Sequence, residues 1–231
     1  MTRFKSVILD VDSTVSELEG IDWLAAQRPP DVAAAVVALT TAAMEAHVPL
    51  DAVYGRRLSL IKPTRTEIMD LASAYIRTAL PGVREAVSVW RDAGVRVVLV
   101  SGGLRDALLP LSAWLGIPAL DVHAVDVEYD ATDVAVTVRG DAPLARAGGK
   151  PEVVRCLNLP RPILAVGDGA TDAELVPHVD RFVAFTGVAR REHVVAVAAD
   201  EVRSFAVLTP LVLGTSSFPD RRKSDRKSCS R

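Results

Sequence analysis

The run Val7-Ile8-Leu9 ends in Asp10, and a second carboxylate, Asp12, follows one residue later. A short apolar run of this kind reads as a strand buried on both faces, the habit of a parallel sheet covered by helices. A strand that stops at Asp10 puts the pair at its carboxyl end, where open α/β sheets keep their ligand crevice. Taken alone, Asp10-Val11-Asp12-Ser13-Thr14 fits a solvated strand end equally well, with Asp and Ser serving the next turn or helix cap. The remainder of the chain has to separate the two readings.

Residues 15–80 read as helical, with helices expected over Gly20 to Gln27, Asp31 to Ala46, Asp51 to Ile61 and Arg65 to Leu80, punctuated by Pro29, Pro30, Pro49 and Pro63. Thr64 and Glu67 form a capping-box pattern that sharpens the start of the last one. From Pro81 the pattern changes. A helix from Val83 to Ala93 stops at Gly94, and Val95 to Val100 reads as a buried strand running into a Ser101-Gly102-Gly103 loop. A helix interrupted or kinked at Pro110 follows to Leu115. Residues 123–139 alternate like a hairpin turning at Asp130 to Asp133. Pro151 suits the first turn of a helix to about Leu157. The runs Ile163 to Val166 and Phe182 to Phe185 supply further strands. Repeated strand, loop, helix order predicts an α/β fold, a doubly wound parallel sheet of Rossmann-like type. Residues 1–13 and 81–214 form its core, residues 14–80 a helical bundle inserted after the first strand, and residues 215–231 a disordered basic tail.

Composition narrows the chemistry. Over 231 residues, apolar types make up 49% and charged types 24%, with a net charge of −2, so no whole-protein field favours nucleic acid. Nothing approaches the roughly 20 apolar residues that span a bilayer, and Met1 to Lys5 lead straight into a strand, so a cytoplasmic location and no membrane partner are expected. Cys156 and Cys229 are isolated, and His47, His123, His178 and His193 lack metal-ligand spacing, which argues against a disulfide framework and a zinc hydrolase. A hard cation held by carboxylates stays open.

In a parallel sheet, Asp10 and Asp12, Ser101 to Gly103, and Gly167 to Asp172 come to one edge, and Lys150 in the Gly148-Gly149-Lys150 turn lies near them. Converging carboxylates repel unless a divalent cation neutralises them, and all-oxygen ligation favours Mg²⁺. A hydroxyl, a lysine and glycine amides complete a cradle for a phosphoryl dianion. One carboxylate can attack phosphorus while another protonates the leaving oxygen. Gly149-Lys150 lacks the glycine spacing of a P-loop, and Ser101 has Leu99 two positions before it, so no nucleophile elbow forms. Asp168-Gly169 taken singly reads as an ordinary turn.

Asp10-x-Asp12-x-Thr14, Ser101 after an apolar strand, Lys150, and Gly167-Asp168-Gly169-x-x-Asp172 resemble the four motifs of the haloacid dehalogenase superfamily. Glu19-Gly20-Ile21-Asp22, Ala43-Met44 and the run from Arg57 to Arg65 further resemble its branch that hydrolyses O-phospho-L-serine in L-serine biosynthesis. The resemblance implies a helical cap, Asp10 as nucleophile and Asp12 as general acid and then base. It implies Mg²⁺ held by Asp10, the Asp12 carbonyl and Asp168, with Asp172 in support. Ser101, Gly102 and Lys150 would hold the phosphoryl group. Glu19, Met44, Arg57, Thr171 and Arg191 would meet the rest of the substrate. Glu45 and Leu50 depart from that branch, which keeps open a phosphatase or phosphotransferase for another small phosphate ester. A catalytically silent phosphoamino-acid-binding regulator is the reading from a different class.

Overall fold

The computed structural model describes residues 2–44 and 50–215. The strands among them are β1 (Ser6–Leu9), β2 (Arg96–Leu104), β3 (Val122–Val125), β4 (Val127–Tyr129), β5 (Ala135–Val138), β6 (Ile163–Gly167), β7 (Arg181–Phe185) and β8 (Asp200–Val202). Six of them pair in parallel in the order β3-β2-β1-β6-β7-β8, and β4 with β5 makes a separate antiparallel hairpin. β1 is central, with Val7 opposite Val97 on one side and Leu164 on the other.

Each inner strand divides its residues between two cores. Val7, Leu9, Val97, Leu99, Leu164, Val166, Val183 and Phe185 enter one, and Ile8, Val98, Val100, Ile163, Ala165, Phe182 and Ala184 enter the other. Alternate residues of a strand face opposite sides, so continuous apolar runs are what a sheet covered on both faces requires. Between β1 and β2 lie α1 (Gly20–Ala25), α2 (Pro30–Met44), α3 (Leu50–Ile61) and α4 (Arg65–Arg77), followed by α5 (Val83–Asp92). The later helices are α6 (Arg105–Leu115), α7 (Gly149–Cys156), α8 (Ala170–Ala173), α9 (Glu192–Val197) and α10 (Phe205–Leu213). α5, α6 and α10 cover the first face, where Phe205 packs 6.2 Å from Trp90 and 5.5 Å from Phe185 between ring centroids. Val154 of α7 and Val194 of α9 cover the second. Among the described residues no helix is long and apolar enough to cross a membrane.

The helical insertion, α1 to α4, leaves and rejoins the core at one place. Leu80 N–H donates to Val15 O at 2.9 Å, Glu17 N–H to Thr78 O at 3.0 Å, and the Ser16 and Thr78 hydroxyls lie 2.8 Å apart. This tie explains why α4 ends at Arg77 and not at Leu80, since residues 78–80 bond to the entry strand. The capping box at Thr64 forms as expected, with Thr64 Oγ1 accepting from Glu67 N–H and Glu67 Oε2 accepting from Thr64 N–H.

Four local expectations are corrected. Ser101 to Gly103 are not a loop but continue β2 to Leu104, beyond a register shift against β3. Lys150 is not in a turn but is the second residue of α7. Residues 122–129 split between two sheets, because β3 docks on β2 while β4 turns away to pair with β5. Of the two outcomes expected at Pro110, interruption does not occur: α6 runs through it and forgoes the one backbone donor the ring removes. The expected tail falls outside the described residues except for Thr215, as do Glu45 and the side chains of Met44 and Leu50.

Candidate active site

Asp10 is the first residue beyond β1, and its N–H still bonds to Val166 O of β6 at 3.1 Å, so its backbone is held by the sheet. Its carboxylate is buried, and Oδ1 accepts from Lys150 Nζ at 2.6 Å. The same ammonium reaches Asp172 Oδ1 at 2.5 Å. Lys150 can stand there because α7 begins against the 143–145 turn at Gly149. A methyl on Gly149 would lie 1.7 Å from Pro143 O, so any other residue would push the helix start away. Burial, and then the nearby charge of Asp172, push the Asp10 carboxyl up to about 7 despite the lysine. Burial alone would lower Lys150, but Asp10 and Asp172 outweigh it and hold the ammonium above its usual range.

Asp168 lies on the adjoining strand end. Thr14 Oγ1 donates to its Oδ1 at 3.3 Å, and Arg191 pairs with its Oδ2. Carboxylate oxygens of Asp10, Asp168 and Asp172 all lie within 4.8 Å of one another. Buried hard oxygens this close suit a divalent cation that takes oxygen ligands. The charge inventory points the same way: among the described residues, the buried carboxyls of Asp10, Asp168 and Asp172 meet the two cations Lys150 and Arg191, a surplus of negative charge that a cation would relieve.

Asp12 is two residues on and opens to the cleft. Its Oδ1 accepts from Tyr75 Oη at 2.5 Å and from Gly20 N–H at 3.2 Å. Removal from bulk water, then the charges of Glu19 and Asp10, raise this carboxyl well above the ordinary carboxylate range. Ser101 lines the same cleft and is buried, with Oγ accepting from Gly103 N–H at 3.0 Å.

The insertion closes over the floor and leaves a cleft between the two. Asp10, Asp12, Glu19, Arg57, Ser101, Gly102, Lys150, Asp168, Thr171 and Asp172, all singled out by sequence, line it. Arg191, expected against the substrate, is instead paired with Asp168 and stands 3.8 Å from Glu19. Glu19 also accepts from Ser13 Oγ at 2.7 Å, and burial raises its carboxyl. The roof contains residues that sequence reasoning did not find. Arg57 Nη1 donates to Thr40 Oγ1 at 3.0 Å, which in turn lies 2.5 Å from Asp22 Oδ1. The guanidinium sits 5.3 Å from the Tyr54 ring centroid. Tyr54 Oη and Arg57 Nε are both buried without a hydrogen-bond partner among the described residues. Asp22 follows Glu19 by one helical step of three and was within reach of periodicity. Thr40, Tyr54 and Tyr75 carried no local signal.

The family model for haloacid dehalogenase-like hydrolases matches residues 7–176. The human phosphoserine phosphatase is 36% identical over 192 residues, covering 82% of this chain and 84% of the relative. Among solved structures, a phosphoserine phosphohydrolase-like protein from Francisella tularensis superposes with a TM-score of 0.83 at 22% identity, over 90% of this chain and 99% of that one. A phospho-aspartyl intermediate analogue of phosphoserine phosphatase gives a TM-score of 0.74 at 23% identity, over 87% and 93%.

Proposed function

The chain belongs to the haloacid dehalogenase-like hydrolase family, and on that premise we propose that it hydrolyses O-phospho-L-serine to L-serine and phosphate, the closing step of L-serine biosynthesis. The observation that carries this reading is the pairing of a buried Asp10–Lys150–Asp172 cluster with a roof that presents Glu19 and Arg57 to the same cleft. A zwitterionic amino acid phosphate needs an anion for its ammonium, a cation for its carboxylate and a cationic cradle for its phosphoryl group. Glu19, Arg57 and Lys150 supply the three.

Asp10 is the nucleophile. Its carboxylate oxygen bonds to phosphorus as the bond from phosphorus to the serine oxygen breaks, and Asp12 gives its proton to that leaving oxygen. Asp12, now ionised, takes a proton from water as the water oxygen attacks the aspartyl-phosphate, which frees Asp10 and restores the acid. The raised Asp12 carboxyl supports this role, because burial and the charges of Glu19 and Asp10 let it hold a proton to higher pH than an exposed carboxyl does, as a general acid must. Ser101, the Gly102 amide and Lys150 hold the transferring oxygens. Asp10, Asp168 and the Asp12 carbonyl would hold Mg²⁺, with Asp172 bracing Lys150 behind them. When bound, the ion supplies neutralising charge and polarises the phosphoryl oxygens. Thr171 lines the cleft, and Met44, the last residue of α2, is the remaining member of the expected substrate set.

Purified protein given a panel of phosphate monoesters and Mg²⁺ should release phosphate fastest from O-phospho-L-serine, and a chelator should abolish the release. Faster turnover of an ester without an amino acid head would reject serine specificity while leaving the chemistry in place.

A further inference from the structure

Asp12 has two oxygens, and the structure treats them differently. Oδ1 accepts two hydrogen bonds, from Tyr75 Oη at 2.5 Å and from Gly20 N–H at 3.2 Å. Oδ2 makes no hydrogen bond among the described residues and belongs to a side chain that lines the cleft. A backbone N–H can only donate, so Oδ1 is an acceptor. A carboxylic acid whose one oxygen is doubly engaged as acceptor carries its proton on the other.

The contact is built into the packing. Tyr75 is fully buried in the last turns of α4, and its hydroxyl has Asp12 as its one hydrogen-bond partner among the described residues. Gly20 opens α1 directly beneath it. A methyl on Gly20 would lie 2.0 Å from the Tyr75 hydroxyl and 2.9 Å from the ring carbon that bears it, so the phenol fills space that only glycine leaves. The same glycine contributes the second donor through its amide. One helix of the insertion and the first residue of another therefore converge on a single oxygen of the core's second aspartate.

We propose that Tyr75 is a positioning residue for Asp12: with the Gly20 amide it clamps Oδ1 and leaves Oδ2 as the oxygen that passes the proton to the leaving group. The phenol keeps its own proton throughout. In the first step the proton leaves Oδ2 for the departing alkoxide oxygen as the phosphorus bond shifts to Asp10, and in the second Oδ2 recovers a proton from the attacking water. The proposal rests on the reading of Asp12 given under Proposed function.

An ester whose leaving group needs no proton separates positioning of the acid from general upkeep of the site. Tyr75→Phe removes one oxygen and retains the ring, and the full-length variant can be assayed on O-phospho-L-serine and on p-nitrophenyl phosphate, whose phenolate departs unprotonated. Since a positioned acid is worth about 10²- to 10⁴-fold, kcat/KM for phosphoserine should fall about 10- to 100-fold, with less than about a threefold loss on the aryl ester. In an Asp12→Asn background, the further loss of the hydroxyl should cost less than about threefold, because the two groups act as one unit. Should Tyr75→Phe fail to fold by circular dichroism, Gly20→Ala displaces the same contact from the other side and should show the same split between esters. Equal losses on the two esters, or additive losses with Asp12→Asn, would overturn the role of Tyr75 while leaving phosphoserine hydrolysis intact. A native chain inactive on every phosphate ester would overturn both.

Discussion

The floor of the cleft and its roof satisfy their polar groups in opposite ways. On the floor Asp10, Asp172 and Asp168 already have cationic partners in Lys150 and Arg191, all within a few ångströms and away from bulk water. In the roof Arg57 is tied through Thr40 to Asp22 by one of its nitrogens, yet its Nε and the Tyr54 hydroxyl are buried without a hydrogen-bond partner among the described residues. A buried donor left unpaired costs about 1–3 kcal/mol, which is recovered when a ligand supplies the acceptor. The floor is thus arranged for one chemistry whatever alcohol is attached. On the proposed reading, the roof is completed by a particular head group.

The comparison breaks most visibly at the nucleophile. Asp10→Asn keeps the shape and the contact with Lys150 but removes the attacking charge, and kcat for phosphoserine should fall by at least about 10³-fold, as for other covalent nucleophiles. Because the roof is untouched, binding of phosphoserine measured by calorimetry should persist within about tenfold. Activity retained in this variant would remove Asp10 from the attack.

A roof substitution should show the reverse pattern. Arg57→Met preserves much of the volume and leaves Thr40 bonded to Asp22, so the chamber keeps its walls. The KM for phosphoserine should rise about 10- to 100-fold, the scale of a lost charge-assisted pair, while kcat changes little. Phosphoethanolamine lacks the carboxylate, and its KM should move less than about threefold. Equal effects on both substrates would mean that Arg57 shapes the roof without reading the carboxylate.

The same division explains what was legible in the sequence. The floor was readable almost residue by residue, because a parallel sheet brings its strand ends to one edge, so Asp10, Ser101, Asp168 and Asp172 could be placed together without knowing any contact. The doubly wound sheet was readable for the same reason, from apolar runs such as Val7 to Leu9 and Ile163 to Val166. The roof is a helix-packing problem. Thr40, Tyr54 and Tyr75 lie on three different helices, and nothing in their neighbours states which face turns inward. Glu19 and Arg57 were found by resemblance, whereas Tyr75 needed the crossing of α4 over Gly20 to be seen. Lys150 was placed near the site, but in a turn ahead of its helix, because Gly148-Gly149 looks like punctuation until the 143–145 segment packs against it.

The smallest expected effect tests whether the insertion can be weakened without disturbing the floor. Arg28, in the link between α1 and α2, makes a two-pronged pair with Glu67, at 2.6 Å to Oε1 and 2.7 Å to Oε2, and donates to Ile61 O at 2.7 Å. Glu67 also caps α4 through Thr64 N–H at 2.8 Å. The hydrogen bonds from Arg28 are the main reason that the Glu67 carboxyl is lowered to about 2 in the folded chain. A carboxyl depressed on folding stabilises above its unfolded value and loses that contribution as pH falls through the folded one, so the window runs from about 4.5 down to about 2. The pair is partly exposed, and solvent screening reduces its worth to about 1 kcal/mol. Glu67→Gln should therefore lose about that much stability at neutral pH in urea titrations, and the difference from the native chain should shrink as pH falls through the window. Turnover of phosphoserine at neutral pH should stay within about twofold, since neither residue borders the cleft. A large fall in turnover would show that the floor depends on the rigidity of α4, which also carries Tyr75, and would join the two regions that the geometry separates.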